Sequence, residues 1–517
     1  MSIFNSKIPI FAPSRNKFDL GHERKMSMNM GKLVPILCQH VIPGDSFKVN
    51  SQIFVRFAPM IAPVMHRVNV NTHYFFVPYR ILWAEWEKFI TGGDYGAAAP
   101  VFPTVRITAP AGTNPPTVEQ TWGLGSLADY LGVPTYSGVA IPTNPLDISA
   151  LPFRAYTKIY DDYYRDQNLE PSLDVKTTSG DQTLTDPDEV NKITQLRTRA
   201  YEKDYFTTAL PWPQKAPDVQ IPGTEIFRAT RGDNGNPFPA SAGIGTDAGA
   251  NLIDVASGAG LVLKDGIGNS INDLRKAFKL QEWFEKQARG GSRYIETILS
   301  HFRVKSSDAR LQRSEYLGGG QQHVTISEVL QTIDQTATDF PLGTMGGHGV
   351  SSGNSNGFTR SFEEHGVIIG IMSVLPKSAY QQGLDKHWRK FDKFDHYWPS
   401  FANLGEQEVK LHELYYKTDD PAGHADKTFG YQSRYAEYKH QFDSVHGDFR
   451  ENLAFWHMGR IFGSEPALNN AFIKAEHTDG MDRIFAVQDP ATHNIWVQLY
   501  NSVSALRPMP YHSTPSI

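Results

Sequence analysis

The stretch FKVNSQIFVRF (47–57) alternates without a break: Phe47, Val49, Ile53, Val55 and Phe57 fall on one face, and Lys48, Asn50, Gln52 and Arg56 on the other. VNVNTHYFF (68–76) repeats the pattern, with Val68, Val70, Thr72, Tyr74 and Phe76 set against Asn69, Asn71 and His73. Side chains of a strand point to opposite faces in turn, so this period of two predicts two half-buried antiparallel strands. The connection APMIAPVM (58–65) carries two prolines, which predicts a corner and not a tight hairpin.

Working outward, further strands are predicted at 322–327, 366–375, 482–488 and 494–500. In HNIWVQLY (493–500), Ile495, Val497 and Leu499 alternate. GVIIGIMSVL (366–375) is the longest apolar run, about half the length a membrane-spanning helix needs, and reads as a buried strand. Helices are predicted at 81–90, where ILWAEWEKFI ends at Thr91-Gly92-Gly93, at 151–166, at 271–288 and at 293–302. In the third of these, Leu274, Ala277, Phe278 and Gln281 form one stripe. Strands thus gather at the two ends of the chain, around a helical middle. Pairing strands so far apart in sequence is what a Greek-key or jelly-roll sandwich does, here mainly β with helices inserted in its loops.

The chain has 517 residues, roughly three domains' worth by length alone, and is long enough to bury a large core. Fifty Lys and Arg stand against 55 Asp and Glu, a net charge of −5, which excludes bulk charge as the means of holding nucleic acid but allows a local basic surface. Residues 1–45 read as an arm: Lys7, Arg15, Lys17, Arg24, Lys25 and Lys32 outnumber Asp19, Glu23 and, at its very end, Asp45. Such an arm can be solvated, can neutralise phosphates, or can strap a neighbouring subunit through Ile8, Ile10 and Phe11. The remainder, 46–517, reads as a single domain with insertions, of which 111–310 is a large helical and loop insertion. Within it, 221–270 holds ten glycines and only two aromatics, Phe227 and Phe238, and reads as an exposed excursion. Residues 381–460 instead hold sixteen aromatics, interleaved with Lys386, Arg389, Lys390 and Lys393. A core or subunit interface explains them first; stacking of unpaired bases is the alternative.

Catalytic chemistry finds little support. The single cysteine, Cys38, excludes an intrachain disulfide and a four-cysteine zinc site. With His40 two residues on, it could be nucleophilic, but in KLVPILCQH it reads as a small buried residue. There is no H-E-x-x-H, no GxxxxGK[ST] and no GxSxG. The pairs Asp161-Asp162 and Glu363-Glu364 are adjacent in sequence, which turns their carboxylates apart on a helix or strand. No metal site and no cofactor are predicted. The start, MSIFNSKIPIF, predicts no secretory signal. Arg231-Gly232-Asp233 is an adhesion-type tripeptide in the glycine-rich excursion.

Several long blocks carry a resemblance, among them FDLGHERKMSMNMGKLVPILCQHVIPGD (18–45), FVRFAPMIAPVMHRVNVNTHYFFVPYRILWAEWEKFITGG (54–93), LPFRAYTKIYDDYYRDQNL (151–169), ARGGSRYIETILSHFRVKSSDARLQRSEYLGGG (288–320), HGVIIGIMSVLPKSAYQQG (365–383) and RYAEYKHQFDSVHGDFR (434–450). In these the chain resembles the major capsid proteins of gokushoviruses, small single-stranded DNA phages of the Microviridae. The likeness covers well over half the chain and weakens at 216–270 and 335–360. It implies the viral jelly roll of eight antiparallel strands with long inserted loops. It implies self-assembly into a T=1 icosahedral shell around a circular single-stranded DNA genome, located in the virion and built in the host bacterial cytoplasm. Scaffolding, pilot and small basic DNA-packing proteins are the implied partners. The 216–270 insertion would be a surface protrusion meeting a host receptor, possibly a glycan, with Arg231, Gly232, Asp233, Asn234 and Phe238 as host-facing candidates. The DNA-facing candidates are Arg15, Lys17, Arg24 and Lys25 of the arm, and Lys386, Trp388, Arg389 and Lys390 of the aromatic region. The expected role is structural and not enzymatic. The rival readings are a β-sandwich glycan-binding protein using Trp388 and Trp398 as platforms, and a glycan-cleaving enzyme on the same fold.

Overall fold

Ten strands pair in one antiparallel sheet. They are β1 (Asn16–Asp19), β2 (His22–Met28), β3 (Val34–Val41), β4 (Ser46–Phe57), β5 (Val68–Pro78), β6 (Glu315–His323), β7 (Thr325–Leu330), β8 (Met345–Ser361), β9 (Gly366–Pro376) and β10 (Ile495–Arg507). Their spatial order is β1-β10-β4-β8-β6-β5-β9-β3, with β2 also on β10 and β7 on β8. This is a computed structural model. It describes residues 14–93, 99–136, 145–217, 230–231, 244–246, 252–254, 261–262, 271–291, 293–330, 344–416, 423–476, 480–489 and 491–512.

Sequence-distant pairing is the rule: β10 lies along the whole of β4, from Ile495 opposite Phe57 to Leu506 opposite Ser46. The inward residues of β4 and β10, including Phe47, Val49, Ile53, Val55, Phe57, Val497, Leu499 and Val503, meet Val68, Val70, Tyr74, Phe76, Ile368 and Met372 in one core. Each such side chain is worth about 1.5–3 kcal/mol when fully buried. This is the jelly-roll sandwich expected from the sequence. Its two halves remain joined where β6 meets β8 at a single partnered pair, Gly319 and Gly357. Only glycines fit there: a Cβ on Gly319 would lie 2.1 Å from the Thr72 carbonyl oxygen, and one on Gly357 would lie 2.2 Å from that of Val49.

The half made of β5, β9 and β3 is covered on its other face as well. Phe75, Val77, Val367, Ile369 and Ile371 pack against Trp83, Trp122, Leu151, Phe153 and Tyr156. That is why all of β9 is buried. The covering elements include α1 (Tyr79–Leu82), α2 (Trp86–Thr91) and α3 (Leu151–Ile159). The predicted helix over 81–90 is thus broken in two at Trp83, whose backbone is extended and whose indole donates to Ser179 at 2.8 Å. Gly92 ends α2 with a positive φ, as the Thr-Gly-Gly signal predicts. The helix predicted at 151–166 ends in a π-turn at Tyr160–Tyr164.

Two segments differ from expectation. Residues 14–41, expected as part of an arm, hold β1, β2 and β3, strands of the sheet itself. Alternation in HERKMSM pairs half-buried His22, Arg24 and Met26 with exposed Glu23, Lys25 and Ser27, so the hydrophobic contrast that marks a strand is missing. Residues 482–488 do not form a strand; Met481–Ile484 is a 3₁₀ turn entered through Gly480 at φ 78°. Ile484 and Phe485 leave this turn into the core.

Residues 212–303 form a compact unit of their own, apart from 1–211 and 304–517. This unit contains α4 (Ile271–Gly290) and the short strand pairs 230–231 with 261–262 and 244–246 with 252–254. Most of the 216–270 window lies outside the described residues.

Candidate nucleic-acid interface

Among the described residues, the half of the sheet made by β1, β2, β10 and β4 is covered only on its core side. On its other face the register sets outward side chains in rows, all exposed except half-buried Phe54 and Ser504. Ser27, Trp496 and Arg56 form one row, Lys25, Gln498 and Phe54 the next, and Glu23, Tyr500 and Gln52 the third. Further along, Ser504 joins Asp19 to Lys48, and Lys17 lies beside Leu506. Cross-strand neighbours share a face because the pleat puts them there.

This face brings together Lys17 and Lys25 of the sequence candidates, with Arg15 just before β1. It adds Lys48 and Arg56, which the sequence marked only as the polar side of a strand; their neighbours come from the far end of the chain. Among the described residues none of these five cations has a carboxylate within ion-pair distance. Arg56 lies 5.3 Å from the centre of the Phe54 ring. Two carboxylates share the face, Glu23 and Asp19, the latter accepting from the Gly21 amide at 2.9 Å. Arg24 points the other way. It donates to the Tyr130 carbonyl at 2.5 Å and to that of Pro35 at 3.4 Å, and burial pulls its pKa down. It fastens β2 to the fold.

The second group of candidates is in a different electrostatic state. Lys390 is paired with Glu437 at 2.9 Å, with side chains only 4% and 5% exposed. Arg389 pairs with Asp426 at 2.8 Å and Lys386 with Glu413 at 3.6 Å. These cations are already neutralised by the chain's own carboxylates. Trp388, by contrast, is 73% exposed, and Phe391, Phe394, Tyr397, Trp398 and Leu404 of the same segment are exposed as well. Of the host-facing candidates, Arg231 lies in a two-residue strand, while Gly232, Asp233, Asn234 and Phe238 lie outside the described residues.

The remaining chemical candidates have separate partners. Asp161 pairs with Arg165 at 2.6 Å and Asp162 with Lys158 at 3.1 Å; Glu364 pairs with Arg80 at 2.7 Å. Burial pushes the Cys38 thiol up to about 11, with Arg24 acting the other way, which leaves it protonated and unreactive near neutral pH. His40 bonds to the Tyr79 hydroxyl. Among the described residues, no three His, Cys, Asp or Glu side chains gather as a metal site, and no helix is long and apolar enough to cross a membrane.

Known proteins supply the context. A family model described as capsid protein (F protein) matches residues 6–517. The chain is 34% identical to capsid protein VP1 of Chlamydia phage 1, over 99% of this chain and 97% of that protein. It is 34% identical to capsid protein VP1 of Bdellovibrio phage phiMH2K over the same shares, and 32% identical to that of Spiroplasma virus 4 over 97% and 95%. These relatives are gokushovirus proteins, and the likeness spans both halves of the sandwich and the insertion between them. The chain belongs to the phage capsid protein (F protein) family.

Proposed function

We propose that this capsid protein assembles as the T=1 icosahedral shell of a gokushovirus-type phage around circular single-stranded DNA, with the open face of β1, β2, β10 and β4 turned toward the genome. One observation carries the orientation. In a chain of net charge −5, the cations Arg15, Lys17, Lys25, Lys48 and Arg56 lie together on or beside one sheet face, with no ion-pair partner among the described residues. Unpaired cations release counterions from phosphates, whereas cations already paired, such as Lys386, Arg389 and Lys390, gain little. A small basic packing protein acts beside these cations, since the subunit as a whole is acidic.

The work is structural, through repeated contacts between copies, and not catalytic. The exposed rings of Trp388 and Phe391 fit a contact with a neighbouring subunit, where buried aromatics are enriched. Assembly takes place in the host cytoplasm with a scaffolding protein, a pilot protein serves DNA delivery, and the 216–270 insertion meets the host receptor.

The test is charge neutralisation. Particles carrying Arg15→Gln, Lys17→Gln and Lys25→Gln are expected to form closed shells with a reduced DNA-to-protein ratio. Arg24 is left intact because its removal would strip two carbonyls of their donor. A normal ratio in those particles would sink the reading.

A further inference from the structure

The open sheet face holds more than charge. Trp496 is 48% exposed and Tyr500 is 38% exposed, in a strand whose inward residues, Ile495, Val497 and Leu499, are fully packed. Gln498 and Ser502 hold the other outward positions of the same face. Trp496 is flanked by Arg56, and Gln498 between the two rings by Lys25 and Phe54. Gly21 leaves the space that the Tyr500 hydroxyl takes: a Cβ there would lie 2.8 Å from that oxygen. The rings are four residues apart, roughly 13 Å along the strand, and the cations Lys48 and Arg56 of the neighbouring β4 stand about 27 Å apart, with Asn50, Gln52 and Phe54 between them.

We infer that Trp496 and Tyr500 are stacking platforms for unpaired bases of the genome, with Arg56, Lys25 and Lys48 holding the intervening phosphates. The inference rests on the DNA-facing reading of this surface and adds to it the chemistry of recognition. An indole or phenol ring offers a π-face that every base can match, so contact is independent of sequence. That suits a shell whose many equivalent subunits each meet a different stretch of one genome. Duplex DNA, with its bases stacked internally, cannot use these rings. Single strands can, while free cations alone bind either form. Gln498 and Gln52, between and beside the rings, can donate to and accept from base edges or sugar without charge. The carboxylates Glu23 and Asp19 lie toward the β1 end, so the strongest site is at the Arg56–Trp496 end.

The experiment is equilibrium binding of the purified full chain to a fluorescent oligo-dT and to a duplex of equal length, across a salt series. Trp496→Ala with Tyr500→Ala is expected to weaken oligo-dT binding by about tenfold or more, with an unchanged salt slope and little effect on the duplex. Trp496→Phe is expected to retain most of the affinity, and the thermal melt of each variant reports whether the sheet is intact. Changing Lys17, Lys25, Lys48 and Arg56 to Gln is expected to lower the salt slope by about three, at ~0.7 per phosphate contact. If the cation variant loses affinity but the folded double aromatic variant does not, stacking is refuted and the DNA-facing reading stands. If both bind as the unaltered chain does, both fail. If the aromatic variant binds DNA normally but no longer assembles, the rings belong to a subunit contact and the inference is overturned.

Discussion

Replacing Lys390 by Met separates a structural lysine from a genome-facing one. Its ammonium lies 2.9 Å from the Glu437 carboxylate and 3.7 Å from the centre of the Tyr438 ring. Glu437 also accepts from Gln407 Nε2 at 2.6 Å, and Gln407 Oε1 accepts from the Tyr435 amide at 2.9 Å. Tyr435 has φ 59°, a left-handed conformation that costs a non-glycine residue roughly 1–2 kcal/mol. The network therefore holds a strained turn. Removing one member of a buried ion pair costs about 3–5 kcal/mol, because the other charge is left desolvated. Local opening around Tyr435 should then become roughly 100-fold more frequent, or more.

Hydrogen exchange at the Tyr435 amide reads this directly. Lys390→Met is expected to speed it by that factor, and adding Glu437→Leu to recover most of the protection. The pH dependence has a defined shape. Burial raises the Glu437 pKa, but Lys390 and Gln407 outweigh it, so the net shift is downward; burial lowers that of Lys390, but Glu437 and Tyr438 raise it overall. A lowered carboxylate contributes stability above its unfolded value, lost as pH falls through the folded one. A raised lysine contributes below its unfolded value, lost as pH rises through the folded one. Protection should therefore be flat between about pH 5 and pH 10 and fall on both sides. DNA content of particles should be unaffected. Unchanged exchange together with lower DNA content would refute the assignment of Lys390 as structural.

Two further predictions concern the fold. Gly31 has φ 77°, and a Cβ there would lie 1.7 Å from the Ala475 carbonyl oxygen, so Gly31→Ala should abolish soluble chain; because the clash is with backbone, Ala475→Gly should not rescue it, and rescue would refute the steric account. Burial lowers His66 and His73 each to about 4, where they bond to the Lys377 carbonyl and the Tyr164 hydroxyl. The unfolded chain takes up these protons first, near pH 6.5, so stability should fall as pH drops from about 6.5 to 4. Melting temperatures across that range should decline, and less steeply in His73→Gln; identical profiles would count against this origin.

The parts of the fold legible in the sequence are those where hydrophobicity contrasts between faces. β4 and the first half of β10 announce themselves because one face is apolar and the other is not; β5 alternates too, but it is not half-buried as expected, since Asn69, Asn71, Phe75 and Val77 on its second face are buried as well. β9 was legible for the opposite reason, an unbroken apolar run too short for a membrane, and the structure buries it on both faces. β2 was not legible, because its inward side holds His22 and Arg24, which meet Asn501 and the Tyr130 carbonyl, both far off in sequence. The strand expected at 482–488 failed because its apolar residues serve a turn. The site was half legible. The basic character of Lys17 and Lys25 could be read, but not the company of Lys48, Arg56, Trp496 and Tyr500, which only the register supplies. The pairing of Lys390 was hidden for the same reason, since Glu437 is 47 residues away.

Whether the open face of β1, β2, β10 and β4 looks at the genome is decided by a cryo-electron microscopy map of DNA-filled particles. This face is expected to line the interior, with DNA density against Lys25, Arg56 and Trp496. The same face found on the outer surface, or covered by a neighbouring subunit, would contradict it.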